Sequence, residues 1–270
     1  MPFNPASAGK SYPSNTVRVQ GESIEQFIRA LGENNPYFVD PKRRGGVIAP
    51  PLYAARLAIP ALARAVADPE LGVPAEELIP VACELNLARP VRPGRDVVLS
   101  AGFGDIEQDE RGEVISLRLQ GTRRLGVLVF LYELRLLHPR ASGAPAPPPP
   151  ATHFLRPPLA FRARYTAIAP SCMGEAGGAA PSIPPDALLS PFLGLAHAAR
   201  TVIDTSLKRD PSQLKRIRVR PVRPVEAGEP LTVAGWIIET RRATTFMGFE
   251  ILGEDGGLVM AEGVAEVILK

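Results

Sequence analysis

Cysteine is nearly missing from this chain: its 270 residues include only Cys83 and Cys172. Two thiols so far apart support neither a disulfide framework nor a zinc site, and they suit a reducing, cytoplasmic setting. Histidine is equally scarce, at His138, His153 and His197. Without clustered ligands no metal is expected. Aromatic residues make up only 6% of the chain and the net charge is only +3. With few stacking rings and no continuous basic stripe, nucleic-acid binding is not expected. Long apolar runs are missing too. The best candidate, Leu125 to Leu137, contains Glu133 and Arg135 and is too short to cross a bilayer. The opening MPFNPASAGKSYPSN lacks the apolar core of a signal peptide, so no membrane association is expected. No Gly-x-Ser-x-Gly elbow occurs, which argues against an α/β-hydrolase.

What is present is globular in character, with 45% hydrophobic and 22% charged residues. Such a chain is long enough to bury a large core. Ser14 to Val19 reads as a strand. Ile24, Phe27, Ile28 and Leu31 then recur at helical spacing, with Ser23 and Gln26 as a capping box and Gly32 as the stop. A polar loop leads to Pro50-Pro51, which opens an apolar helix, Leu52 to Val66, bent near Pro60. Val73 to Glu77 reads as another helix start. Strand-like runs follow at Ile79 to Leu87, Val97 to Phe103, Glu113 to Gln120 and Leu125 to Leu137. Residues 141–151, ASGAPAPPPPA, read as an extended linker reaching on the order of 30 Å.

Beyond the linker the pattern repeats. Arg89-Pro90-Val91-Arg92-Pro93-Gly94 recurs as Arg223-Pro224-Val225-Glu226-Ala227-Gly228, 134 positions later. Leu119-Gln120-Gly121 recurs as Ile251-Leu252-Gly253, 132 positions later. Two motifs in one order at nearly one offset indicate a duplication. The expected division is a copy at 1–140, the linker at 141–151 and a second copy at 152–270, with Pro191 to Lys208 as the second apolar helix.

The loop Gly32-Glu33-Asn34-Asn35-Pro36-Tyr37-Phe38-Val39-Asp40-Pro41, continued by Gly46 to Pro51, resembles the N-terminal half of MaoC-like dehydratases, the fatty-acid-synthase-type dehydratase domains. The resemblance implies an α+β tandem (double) hotdog, each copy a curved antiparallel sheet wrapped around a central helix. It also implies hydration of an enoyl thioester, or the reverse dehydration of a 3-hydroxyacyl thioester, by an Asp and a His in a D-x-N-P-[LI]-H-x-D motif. Here Glu33 stands at the Asp position and Phe38 at the His position. A phenyl ring cannot exchange a proton as imidazole does. The stretch Tyr165 to Leu189 occupies the corresponding place in the second copy, and no histidine stands there.

Glu33 and Asn35 are therefore the candidate catalytic pair, as base and water-orienting amide. Tyr37, Phe38 and Ile48 are candidate substrate contacts. The resemblance also implies an oxyanion hole of backbone N–H groups at the start of a central helix. Pro50 and Pro51 remove two donors there, leaving Leu52 and Tyr53, so Leu193 and Gly194 of the second copy are the better candidates. Arg216, Arg218 and Arg220 alternate to one side of a strand and are candidates for the phosphates of coenzyme A or an acidic carrier protein. His197 is expected to be a core or interface residue, and His138 and His153 to be solvated. Asp40-Pro41 reads as a turn, and Asp186 is placed as the last acid of a second motif.

These residues lead to an acyl-thioester protein, an enoyl-CoA or enoyl-carrier-protein hydratase. The alternatives are a non-catalytic hotdog subunit that shapes the acyl tunnel for a partner, and a hotdog thioesterase using Glu33 or Asp186. No cofactor is expected beyond the thioester itself. A homodimer, or a hetero-oligomer with another hotdog subunit, is the expected assembly.

Overall fold

The computed structural model describes residues 2–43, 45–140, 158–167 and 186–269. The expected linker 141–151, Cys172, His153 and most of Tyr165 to Leu189 lie outside the described residues. The first copy begins with β1 (Ser11–Arg18), then α1 (Gly21–Ala30), α2 (Pro36–Val39) and α3 (Tyr53–Val66). Four strands follow: β2 (Ile79–Leu87), β3 (Asp96–Asp109), β4 (Gly112–Thr122) and β5 (Leu128–Pro139). The second copy comprises β6 (Phe161–Thr166), α4 (Asp186–Ser206), β7 (Leu214–Pro221), β8 (Pro230–Arg241), β9 (Thr244–Leu252) and β10 (Leu258–Ile268).

All ten strands join one antiparallel sheet in the order β1-β3-β4-β5-β2-β7-β10-β9-β8-β6. The order reads the same way outward from its centre, where β2 and β7 meet, so each half is one copy of a single pattern. Strand residues alternate between core and solvent as the pleat requires. Val97, Leu99, Ala101 and Phe103 of β3 point inward, as do Tyr132, Leu134 and Leu136 of β5. The helices α3 and α4 lie in the concavity. Alanines at 54, 55 and 58 are buried alongside Leu57 and Leu62 on α3, and their small side chains let the sheet curve closely around the helix.

The repeated motif does the same work twice. Gly94 and Gly228 adopt φ of 70° and 81°, values at which a Cβ would be strained. Their N–H groups reach the carbonyls of Val19 and Ala167, the residues that follow the first strand of each copy. Likewise Arg89 N donates to Val129 O, and Arg223 N to Val259 O. Sequence repetition is thus repetition of the turn that ties each outer strand to its sheet.

Several expectations need correction. The capping box at Ser23 does not form: α1 starts at Gly21, its cap Gln20 makes no side-chain bond, and Ser23 Oγ instead receives the Tyr53 hydroxyl at 3.0 Å. Val73 to Glu77 contributes only a three-residue 3-10 turn, Ala75–Glu77. His138 is not solvated. It pairs with Glu77 at 3.0 Å and meets the Phe3 ring edge-on, because the end of β5 is covered by the N-terminal segment. The second central helix is already formed at Asp186, and Pro191 lies inside it. Pro191 resembled an N-terminal proline in sequence, but Leu188 and Leu189 ahead of it are fully buried and belong to the same apolar face.

Candidate functional site

The polar loop after α1 is set by how that helix ends. Gly32 takes φ of 58°. Glu33 N then bonds Ile28 O, and Gly32 N bonds Arg29 O, at 3.0 Å each. This paired closure is the Schellman ending, and it satisfies two of the carbonyls a helix end leaves open. Arg200 of α4 takes two more acceptors there, donating to Leu31 O at 2.7 Å and Gly32 O at 3.1 Å. A guanidinium at the negative end of a helix is favourable on electrostatic grounds as well. The loop of the first copy is thereby clamped to the helix of the second.

Glu33 follows directly and its side chain is 3% exposed. Its Oε1 accepts from the backbone N–H of Asn34 at 2.9 Å and of Asn35 at 3.0 Å. Its Oε2 lies 3.5 Å from Arg200 Nε. Asn35 is fully buried. Its Oδ1 caps α2 by accepting from Tyr37 N at 3.0 Å, and its Nδ2 donates 2.9 Å to Arg209 O in the second copy. Asn34 Oδ1 accepts from the Arg209 guanidinium. Both ends of Asn35 are thus committed to the backbone, and the carboxylate of Glu33 faces a cation rather than open space.

Phe38 is buried beside Glu33, where the two help to line a cavity of about 20 Å³ together with Leu31, Pro50, Pro51, Leu52, Ala196, His197, Ala199, Arg200, Ile203 and Asp204. Half of the wall therefore comes from the first copy's loop and half from α4. Arg200 bridges the two, since its Nε also lies 3.7 Å from Asp204 Oδ2. Asp204 in turn lies 3.5 Å from Arg209 Nε. His197, 3% exposed, packs against the Tyr165 ring with centroids 5.2 Å apart. Burial, aided by the Arg200 charge, lowers its pKa to about 4, so its imidazole is neutral at physiological pH. Thr201 Oγ1 donates to His197 O at 2.8 Å and is 3.1 Å from the Tyr165 hydroxyl. Burial pushes that phenol's pKa up.

A second cavity of about 90 Å³ lies on the other side of Pro50 and Pro51, which line both. Its walls include Ile48, Leu87, Val91 and Leu214, with Arg89 and Lys215 as the charged members. Tyr37 is half-buried under the Arg43 guanidinium, 3.3 Å from the ring centroid. The candidates Phe38 and Ile48 thus line neighbouring cavities, while Tyr37 lines neither.

The remaining candidates fall elsewhere. Leu193 and Gly194 lie two turns inside α4, so their N–H groups belong to the helix ladder and are not free donors at its start. A Cβ at Gly194 would overlap the end of the Met260 side chain, so the glycine makes room for Met260 where helix meets sheet. Arg216, Arg218 and Arg220 do alternate outward on β7, next to the seam between the copies. Arg216 pairs with Glu84 of β2 at 2.5 Å and Arg220 with Glu262 at 2.9 Å, and Arg218 sits opposite Glu84 in register. Asp40 caps the end of α2 and accepts from Lys42 N, a turn as expected. Asp186 is exposed at the first described position of α4. Among the described residues no group of His, Cys, Asp and Glu could hold a metal, and no helix is long and apolar enough to cross a membrane.

Sequence reasoning does not single out Arg200 or Asp204 as cavity residues, and it gives His197 as a core or interface histidine, which is buried as expected. Their helical spacing was visible, but what they face is set by a loop more than 160 positions away.

Fold and cavity together define a double hotdog of the kind found in MaoC-like dehydratases. A family model of the FAS1-like dehydratase domain region matches residues 6–131, the first copy. The chain belongs to the UPF0336 family: a UPF0336 protein of Parafrankia sp. (strain EAN1pec) is 33% identical over 136 residues, which are 48% of this chain and 89% of that one. Among solved structures, a MaoC-like dehydratase from Phytophthora capsici superposes with a TM-score of 0.74 at 14% identity, covering 100% of this chain and 99% of its own. A Mycobacterium tuberculosis protein described as a double hotdog superposes at 0.62 and 13% identity, with 99% and 98% covered.

Proposed function

We propose that the chain acts on acyl thioesters as an enoyl-thioester hydratase or 3-hydroxyacyl-thioester dehydratase, with coenzyme A or a carrier protein as the thiol. The observation that carries this reading is the convergence of Glu33 and His197, from different copies, on one buried cavity. A neutral imidazole able to take a proton, beside a buried carboxylate that holds the neighbouring cation, supplies parts that proton transfer at a thioester uses. The larger cavity across Pro50 and Pro51 gives the thioester an apolar approach, with Arg89 and Lys215 at hand for phosphate charge.

A second reading, a non-catalytic subunit that shapes the acyl tunnel beside another hotdog chain, is favoured by Phe38 in the cavity wall and by the commitment of both ends of Asn35. One assay separates the readings. The purified chain is given crotonyl-CoA, loss of enoyl-thioester absorbance is followed, and Glu33→Gln serves as the comparison. Hydration that falls about 100-fold in Glu33→Gln supports the enzyme. Binding by calorimetry without hydration supports the subunit, and release of free thiol identifies a thioesterase instead.

A further inference from the structure

Three polar atoms on one face of α4 are buried without a hydrogen-bond partner: His197 Nε2, Arg200 Nε and Asp204 Oδ1. Their residues stand at i, i+3 and i+7, which brings them to one side of the helix. All three line the cavity that also holds Glu33. Arg200 Nε and Asp204 Oδ1 keep ion-pair contacts at 3.5 Å, with Glu33 and Arg209, too long to serve as good hydrogen bonds, and His197 Nε2 has no hydrogen-bond partner, a lack that costs roughly 1–3 kcal/mol for a buried polar atom. The hole measures about 20 Å³, and a water needs only about 10–15 Å³ together with two to four polar neighbours. The chemistry of the three atoms is matched to a water. Arg200 Nε–H donates, Asp204 Oδ1 accepts, and His197 Nε2 accepts in the tautomer protonated at Nδ1.

Resting on the hydratase reading above, we propose that these three residues hold the reacting water and that His197 Nε2 receives its proton. In hydration the water oxygen forms a bond to C3 of a trans-2-enoyl thioester while one O–H bond breaks and its proton passes to His197. The C2=C3 π pair moves toward the thioester carbonyl. The imidazolium then returns the proton to C2, so that one water is added and nothing is oxidised or reduced. Dehydration runs through the same atoms in reverse. Glu33 acts as a positioning residue, because its Oε1 is spent on two amides while its Oε2 faces Arg200. The Tyr165 ring from β6 fixes the plane of the imidazole from the other side.

This arrangement differs from a dyad within one loop. Its donor and acceptors lie on the second copy's helix, and the first copy's loop supplies the anion that orients Arg200. Neither copy alone would assemble it.

The test uses the full chain with crotonyl-CoA. Wild type, His197→Gln and Asp204→Asn are compared for hydration, with calorimetric binding of crotonyl-CoA and circular dichroism as controls. His197→Gln is expected to lose at least about 100-fold in kcat while crotonyl-CoA binding stays within about three-fold, a change of roughly 0.7 kcal/mol. Asp204→Asn is expected to lose about ten-fold. Full activity in a folded His197→Gln overturns the proposal and leaves the hydratase reading intact. A wild type that binds crotonyl-CoA and hydrates none of it overturns both. Should His197→Gln not fold, a high-resolution crystal structure of the wild type decides: a water within hydrogen-bond reach of His197 Nε2, Arg200 Nε and Asp204 Oδ1 supports the assignment, and its absence there overturns it.

Discussion

The two copies share a strand order and a turn, yet they divide the polar work of the cavity unequally. In the first, the loop from Gly32 to Asn35 spends nearly all its side-chain oxygens on backbone N–H groups and on the other copy's arginines. In the second, α4 presents His197, Arg200 and Asp204, each with a buried polar atom that makes no hydrogen bond. On the proposal above, the loop is the scaffold and the helix carries the reacting groups. A duplication frees one copy to diverge only if the other still holds the geometry, and here the residues that look catalytic by sequence are the ones doing the holding.

That division is broken most severely at Arg200, which donates to the Leu31 and Gly32 carbonyls just past α1 and faces two carboxylates. Arg200→Met removes the cation that faces buried Glu33 together with the donors to Leu31 O and Gly32 O, and unfolding in urea is expected to show a loss of about 3–5 kcal/mol. Arg216 is the control, since it also crosses between copies, to Glu84, but with its side chain 44% exposed. Arg216→Met is expected to cost less than about 1 kcal/mol, because solvent screens the pair. Equal losses at the two arginines would show that the cavity clamp is only another seam contact.

A smaller effect comes from His197 by titration. Its folded pKa of about 4 lies below the usual 6.5, so the unfolded chain takes up the proton first as pH falls. The stability this neutral histidine contributes is complete above about pH 6.5 and is lost progressively toward pH 4, on the order of 3 kcal/mol in all. The groups facing it are Arg200 on its own helix, Tyr165 from β6 and Glu33 from the loop. Urea midpoints measured from pH 7 to pH 4 should fall more steeply in wild type than in His197→Gln. Parallel slopes would mean that the imidazole is already solvated.

Much of the frame was readable because it depends on neighbours in sequence. Ile79 to Leu87 is β2 to the residue, and the Arg92-Pro93-Gly94 turn was placed by a glycine whose positive φ the fold does use. Doubling was legible because both copies keep that turn. What could not be read depends on distant contacts. Pro191 looks like a helix start until Leu188 and Leu189 are seen to be buried ahead of it. Glu33 reads as a base, and no local pattern shows that its Oε1 accepts from Asn34 N and Asn35 N. His197 reads as a core or interface residue, and buried it is, but no local pattern shows that the opposite copy's loop leaves a water-sized hole against it.

Asn35 gives the smallest and sharpest test of loop against helix. If its amide orients a reacting water, Asn35→Ala should cost activity far more than stability. The geometry argues the other way, because its Oδ1 is the cap of α2 and its Nδ2 is tied to Arg209 O, both in a fully buried setting. Losing a cap costs about 1 kcal/mol and losing a buried hydrogen bond about as much again. Asn35→Ala is therefore expected to lower unfolding free energy by about 2 kcal/mol. Residual crotonyl-CoA hydration, measured well below the melting temperature, should stay within about ten-fold of wild type. Asn35→Asp separates the two contributions: its carboxylate can still cap α2, but it has no N–H to offer Arg209 O and sets two acceptors against each other. A variant that keeps α2 and still loosens the clamp would place the weak point at the contact between copies rather than in the loop.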